Sequence, residues 1–140
     1  MFEHILIPVD FSKKNEAALD VALDLAGQFD SQLTLLHVIE RIEHLDDEEL
    51  RDFYDMLEER ATDNLESMAQ RAVAQGIRVD RVIEYGKRAY EIVRYAQDHD
   101  VQLVLLSSRK VDLTKPVSAN LGTLSHQVSI FCQCPVLMVK

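Results

Sequence analysis

The sequence predicts an α/β fold, an open twisted sheet of five parallel strands with helices on both faces. Short apolar runs alternate with segments whose apolar residues lie three and four positions apart, the spacings of strands and helices respectively. Nearly continuous apolar runs are typical of parallel strands that helices cover on both faces. Five strands joined by four helical connections give an open twisted sheet when every crossover is right-handed. The 140 residues, 47% of them hydrophobic, predict one domain over residues 1–140.

The first part of the chain predicts a βαβ unit. The strands are expected at His4–Val9 and Leu33–Ile39, where the apolar runs lie. Ser12 or Asn15 is expected to accept hydrogen bonds from the free amides that open the helix between them. The inward face of that helix is expected to carry Ala18, Ala22, Leu25 and Phe29.

A long helix is expected next, from about Asp46 to Gln75, and Gly76 should end it. Its apolar stripe is formed by Leu50, Tyr54, Leu57, Ala61, Leu65, Met68 and Ala72. The acidic run from Glu43 to Glu59 opens this helix, where negative charge is favoured by the helix dipole. The run lacks the ligand spacing and central glycine of a calcium loop, so we interpret it as structural rather than as a calcium or partner-binding patch.

The second part of the chain continues the alternation of strands and helices. The predicted elements are a strand at Val79–Tyr85, a turn at Gly86, a helix at Ala89–His99, a strand at Leu103–Ser107, a helix at Gly122–Cys132 and a last strand at Val136–Val139. The inward helix positions are expected to be Ala89, Ile92, Val93, Ala96, Leu124, Val128 and Phe131. The strands and helices therefore alternate to the end.

The charge balance excludes several classes of function. Fifteen Lys and Arg residues against 24 Asp and Glu residues give a net charge of −9, whereas nucleic acids and anionic membranes bind clustered basic residues.

No apolar run approaches the roughly 20 residues of a membrane-spanning helix. The first residues enter a strand pattern without a basic region or cleavage site, so we expect a cytoplasmic protein.

The sequence predicts neither a metal site nor a catalytic residue. The five histidines show no ligand spacing, and Cys132 and Cys134 are too close in sequence to match a thioredoxin-like redox pair. We expect both cysteines to be buried structural thiols. Ser107 and Ser108 lack the Gly-x-Ser-x-Gly context of a nucleophile elbow, so their hydroxyls are expected to be hydrogen-bonded rather than reactive.

A ligand would bind beyond the carboxyl ends of the strands, where strand order reverses. Three segments end there: Pro8-Val9-Asp10, His37-Val38-Ile39 and Leu106-Ser107-Ser108. Asp10 either accepts from a ligand or accepts from the amides of residues 11–13 and fixes the turn. Val38 either lines an adenine slot or covers the core.

The segments HILIPVDFS, LTLLHVIE, VIEYGKRAYEIVRYA, LVLLSSR and CPVLMVK resemble, in order and spacing, the universal stress protein family over essentially the whole chain. The resemblance implies adenine and ribose contacts at the ends of the first two strands. It also implies a phosphate loop with Gly, two residues, Gly, nine residues, then Gly-Ser or Gly-Thr. In this chain Ser107 and Lys110 replace the first two glycines, and eleven residues, 111–121, precede Gly122 and Thr123.

Two hypotheses follow from the altered loop. A Cβ atom keeps backbone amides away from a phosphate, so the loss of two glycines should weaken the site. The leading hypothesis is therefore a non-enzymatic universal stress protein with a degenerate nucleotide site. The alternative is a regulatory protein that binds and slowly hydrolyses ATP with magnesium, in which Arg109, Lys110 and Lys115 hold the phosphates. The candidate nucleotide-binding residues are Pro8, Val9, Asp10, Val38, Ser107, Arg109, Lys110, Gly122 and Thr123.

The last predicted strand indicates that the protein forms a homodimer. An apolar strand at the edge of a sheet invites pairing with another chain, and two-fold dimers are the commonest assemblies. The resemblance implies the same contact. We therefore expect a homodimer whose interface includes Val136, Leu137, Met138 and Val139. A flavodoxin-type electron carrier is a poor fit, because residues 10–14 after the first strand contain no glycine.

Overall fold

The computed structural model describes residues 1–41, 48–120 and 123–140 and confirms the predicted α/β fold. The chain forms, in order, β1 (His4–Pro8), α1 (Lys14–Phe29), β2 (Gln32–Ile39), α2 (Glu48–Ala74), β3 (Val79–Tyr85), α3 (Arg88–Asp98), β4 (Leu103–Ser107), a 3₁₀ turn (Val117–Asn120), α4 (Leu124–Phe131) and β5 (Val136–Val139). The strands form one sheet in the order β3-β2-β1-β4-β5, and every neighbouring pair is parallel.

Helices cover both faces of the sheet and create two cores. The first core joins α1 and α2 to strand residues such as Ile5 and Ile7. The second core joins α3 and α4 to the strand residues that point to the other face of the sheet, such as Leu6. Because successive side chains of a strand point to opposite faces, β1 is buried on both sides. This two-sided burial explains the nearly unbroken apolar runs in the sequence.

Strand β1 lies at the centre of the sheet, between β2 and β4. The chain moves outward from β1 to β2 and β3, then crosses to β4 on the other side. The amide that follows β1, Val9 N, donates to the carbonyl of Leu36 at 2.8 Å and keeps the ends of β1 and β2 in register. The reversal of strand order therefore opens a crevice at the carboxyl ends of β1, β2 and β4.

Most predicted elements are found within a residue or two of their expected bounds. The bounds of β3, β4 and β5 are those predicted, and Gly86 adopts a left-handed φ of +146° in the predicted turn. The stripe of α2 turns Leu65 and Ala72 into the first core, and Ala61 is also buried. The predicted start of this helix at Asp46, with part of its acidic run, lies outside the described residues.

Two aromatic residues were wrongly predicted to face the core. Phe131 is 64% exposed, because α4 ends there and turns only Val128 fully into the second core beside α3. Phe29 is 39% exposed at the last position of α1 and packs edge to face on Phe2, with ring centroids 5.5 Å apart. In both cases the residue is the last of its helix, so the helical period continues to a position that the core does not cover.

The expected capping of α1 by a side chain was also wrong. The residue before the helix is Lys13, and its side chain makes no capping hydrogen bond. Asn15 does accept from backbone amides, but from those of Asp10 and Phe11, which precede the helix. The side chain therefore stabilises the turn between β1 and α1 instead of the first helical turn. No helix in the described ranges is both long enough and apolar enough to cross a membrane.

Candidate functional site

A narrow cleft lies at the carboxyl ends of β1, β2 and β4, where the strand order reverses. It is lined by Pro8, Val9, Asp10, Asn15, Leu36, Val38, Arg88, Ile92, Leu106, Ser107 and Leu124. Five of the residues predicted from sequence are thus brought together: Pro8, Val9, Asp10, Val38 and Ser107. The cavity within these walls has a volume of only about 40 Å³. Drug-sized ligands usually occupy pockets of about 300–1,000 Å³, so the cleft is nearly closed.

Asn15 connects the two sides of the cleft. Its side-chain oxygen accepts from Asp10 N at 3.0 Å and Phe11 N at 2.8 Å, and its nitrogen donates to Ser107 Oγ at 2.9 Å. The residue is 4% exposed, although asparagine is usually found at the surface. One amide therefore fixes the turn after β1 and the end of β4 at the same time.

Asp10 fixes the same turn, as one of the two interpretations of the sequence predicted. Its carboxylate accepts from Ser12 N at 2.9 Å. Burial pushes the pKa of Asp10 upward, but hydrogen bonds from Ser12 and the positive charges of Lys14 and Arg88 outweigh burial and leave the pKa below its ordinary value. Asp10 is exposed and its carboxylate stays ionised, so it remains available as a hydrogen-bond acceptor.

An aromatic pair supports the turn from the side of β2. His37 Nδ1 donates to the carbonyl of Val9 at 2.8 Å, and its ring lies 4.4 Å from that of Phe11. Phe11 has a φ of +64°, a conformation that is uncommon for a bulky residue and stores strain. Burial is the main cause of a lowered pKa at His37, and the charge of Arg88 lowers it further. The ring is therefore neutral at physiological pH.

A second, shallower hollow of about 130 Å³ lies beside the cleft. It is lined by Ser108, Arg109, Val111, Thr123, Ser125, His126, Ser129, Met138 and Lys140. Lys140 Nζ donates to Ser108 Oγ and to the carbonyl of Arg109, both at 3.4 Å. Thr123 Oγ1 accepts from His126 N at 3.3 Å and caps α4. Hydroxyls and cations thus share one surface, a combination that favours anions.

None of the other predicted site residues that the structure describes lines the cleft. Lys110 is exposed and lines neither the cleft nor the hollow. Lys115 lies 4.0 Å from Asp112 and is directed at that carboxylate. Gly122 lies outside the described residues. Of the candidate phosphate-binding residues, Arg109 and Thr123 are therefore the two that the described structure brings to the hollow.

Sequence reasoning missed several residues at the site, among them Arg88, Leu124 and Lys140. Arg88 lines the cleft because α3 begins there, two residues after Gly86. Leu124 lines it because α4 begins beside α3. Lys140 reaches the hollow from the residue after β5. A signal was available for each, since residues that follow the last strand or open a helix lie at the sheet edge where parallel strands end.

Comparison with known proteins decides the family. The model of the universal stress protein family matches residues 1–140. The chain belongs to this family. Universal stress protein YxiE of Bacillus subtilis is 27% identical over 150 residues, covering 100% of both chains. The solved structure of MJ0577, a universal stress protein of Methanocaldococcus jannaschii, is 29% identical, covers 100% of this chain and 96% of the other, and has a TM-score of 0.86.

A third universal stress protein, from Archaeoglobus fulgidus, was solved in complex with dAMP. It is 17% identical, covers 100% of both chains and has a TM-score of 0.71, which shows a shared fold. The five-stranded sheet and its four helices thus follow the architecture of the family.

The cysteines of this universal stress protein differ in part from expectation. Both are free and only half-buried, not fully buried as predicted. Burial raises the pKa of the Cys132 thiol to about 11, which agrees with an unreactive thiol. Within residues 1–41, 48–120 and 123–140, no three His, Cys, Asp or Glu side chains are grouped closely enough to form a metal site.

Proposed function

We propose that this universal stress protein is a non-enzymatic, cytoplasmic homodimer that acts through protein contacts and whose nucleotide site is degenerate. The observation that carries the proposal is the nearly closed cleft of about 40 Å³. A purine base is larger than this space, so binding would require the cleft walls to separate. The hydrogen bond between Asn15 and Ser107 opposes that separation.

The loop after β4 supports the same proposal. Ser107 carries a side chain where the family pattern has glycine, and that side chain is already held by Asn15. Lys110 occupies the second glycine position. Free amides bind a phosphate best when no Cβ stands between them, so this loop offers a poorer cradle than a glycine-lined one.

Restoring the glycines tests the proposal. The variants are Ser107→Gly with Lys110→Gly, and Thr114→Gly as a control that adds glycine to the same loop away from both positions. Thermal unfolding is measured with and without millimolar ATP and magnesium. We expect a Tm shift below about 1 °C for the wild type and the control, and a shift of about 2 °C or more for the double variant, since binding stabilises by mass action.

Two results would contradict the proposal. A clear shift for the wild type would show that the existing loop binds nucleotide. A double variant that behaves like the wild type would show that the missing glycines are not what closes the site.

A second candidate function is the binding and slow hydrolysis of ATP with magnesium. The observation that favours it is the hollow beside the cleft, where Arg109, Thr123 and Lys140 surround a space of about 130 Å³. The dAMP complex of the Archaeoglobus fulgidus relative is consistent with nucleotide binding by this fold. If the wild type shows a Tm shift with ATP, Arg109→Ala should abolish it, because a guanidinium would be replacing the amide cradle.

The exposed apolar edge at β5 supports the homodimer. Strand β5 is the free edge next to β4, and Leu137 and Met138 are 39% and 41% exposed on opposite faces of it. Val111 is exposed and lines the same hollow as Met138, and Ile130 and Phe131 are exposed on α4, a few residues before β5. An exposed apolar edge of this kind is stabilised by pairing with a second copy.

A further inference from the structure

We propose that Cys132 and Cys134 form a two-thiolate site for a soft, thiophilic monovalent metal ion, with the chemistry of Cu(I). The two residues lie at the corner between α4 and β5, at the end of the sheet where β5 begins, whereas the hollow lies where β5 ends. Neither the nucleotide cleft nor the dimer edge requires them. The site is therefore an activity additional to the proposed function.

The separation of the two sulfurs suits a shared metal ion. Cys132 Sγ and Cys134 Sγ are 4.0 Å apart. With metal–sulfur bonds of about 2.3 Å, two sulfurs at that separation subtend an angle of about 120° at the metal. A disulfide would instead need the sulfurs at about 2.05 Å. A two-coordinate ion prefers an angle near 180°, at which bonds of this length put the sulfurs about 4.6 Å apart, so the pair can hold one ion once the sulfurs separate by about 0.6 Å.

The corner that carries the thiols is fixed at both ends. Cys132 N donates to the carbonyl of Val128 at 2.9 Å and ends α4. Pro135 follows Cys134, and β5 begins at the next residue. The chain on both sides of the two thiols is therefore fixed.

The surroundings of the two cysteines leave room for an ion. Both cysteines pack against the second core. A cavity of about 220 Å³ opens beside Cys134, lined by Val93, Ala96, Gln97, Asp100, Val101, Gln133 and Cys134. Gln97, Asp100 and Gln133 are polar, so the cavity offers an ion a route from water to the sulfur of Cys134.

The number of ligands selects the metal. Structural zinc is almost always held by four ligands, and the described residues provide no group of three. Thiolates are soft ligands and select Cu(I) among the first-row ions. Two sulfurs with no third ligand therefore match a soft ion of low coordination number. The expectation of no metal site rested on zinc ligand spacing, which does not test for such an ion.

Competition with a chelator tests the site. Reduced protein is titrated anaerobically with Cu(I) in the presence of bicinchoninate, and the copper kept by the protein is measured. We expect one Cu(I) per chain for the wild type, and at least a tenfold loss of affinity in Cys132→Ser and in Cys134→Ser. The double serine variant gives the background, and Zn(II) tested with a zinc chelator should not be retained.

A thiol count gives a second readout that needs no variant. The chain has two cysteines, so a chromogenic thiol reagent should count two without copper and none with one equivalent of Cu(I) bound. Three results would overturn the proposal: copper retention no greater than in the double variant, full retention by either single variant, or one ion per two chains. Circular dichroism of each variant checks that it is folded.

Discussion

At the scale of single residues, Gly86 has the least room for a side chain among the glycines that the structure describes. Its φ is +146°, and an added Cβ would lie 2.6 Å from Glu91 Oε1 and 2.9 Å from Glu91 Cγ. Glu91 is 7% exposed and pairs with Arg94, which also lies 3.7 Å from Glu84. The carboxylate therefore cannot move away without disturbing an ion-pair network.

Replacement of Gly86 should therefore lower the stability of the fold. We expect Gly86→Ala to lower the free energy of unfolding by about 2–3 kcal/mol, through backbone strain and displacement of Glu91. The matched control is Gly27→Ala in α1, where nothing lies within 4 Å of the added Cβ and the φ is ordinary. That change should stabilise by about 0.5–1 kcal/mol, because alanine is the better helix former. Urea unfolding would measure both, and equal effects would contradict the account.

The lowered pKa of His37 has a consequence for stability. A buried neutral imidazole binds protons less readily in the folded state than in the unfolded state, so stability falls as the pH drops below about 6.5. Many carboxylates also titrate in acid, so a difference measurement is required. The gap in unfolding free energy between wild type and His37→Gln should shrink from pH 7.5 to pH 5.5. A gap that does not change with pH would contradict the prediction.

At the scale of elements, the sequence determined strands better than helix faces. The bounds of β4 could be predicted because burial on two sides leaves an unbroken apolar run. Phe131 could not be placed, because a helical period says which side of a helix is apolar and not where the core beneath it stops. The role of Asn15 was also hidden, since its third partner, Ser107, lies 92 positions away.

The same asparagine connects α1, the turn after β1 and the end of β4, so its loss should weaken all three. Asn15→Ala would leave two amides without their acceptor, at a cost of about 2–4 kcal/mol in unfolding free energy. Asn64→Ala is the control, since that residue is exposed on α2 and should change stability by less than about 0.5 kcal/mol.

A further variant separates the two hydrogen-bonding roles of this side chain. Asn15→Asp keeps the acceptor but loses the donor to Ser107 and buries a carboxylate. Its deficit in unfolding free energy should be larger at pH 7 than at pH 4, where the carboxyl is more often protonated and can donate. A deficit that stays constant between these pH values would show that the lost packing, and not the lost donor, is the cause.

At the scale of the whole molecule, the two edges of the sheet differ in charge. Edge strand β3 carries Asp80, Arg81 and Glu84, and Arg81 pairs with Glu66 of α2 at 3.0 Å. Edge strand β5 is Val-Leu-Met-Val, with no charged residue. Charged side chains protect an edge from pairing with another chain, so the sheet is protected at one edge and open at the other.

The difference between the two edges predicts that β5 forms the dimer interface. Met138→Asp should convert a dimer to a monomer, because it places a charge in the paired edge of both copies of a protein whose net charge is already −9. Met56→Asp is a closely matched control, since Met56 on α2 is 42% exposed and Met138 is 41% exposed. Light scattering after size exclusion should give a monomer mass for the first variant and a dimer mass for the control and the wild type. A monomeric wild type, or a Met138→Asp variant that remains dimeric, would mean that β5 is not the interface.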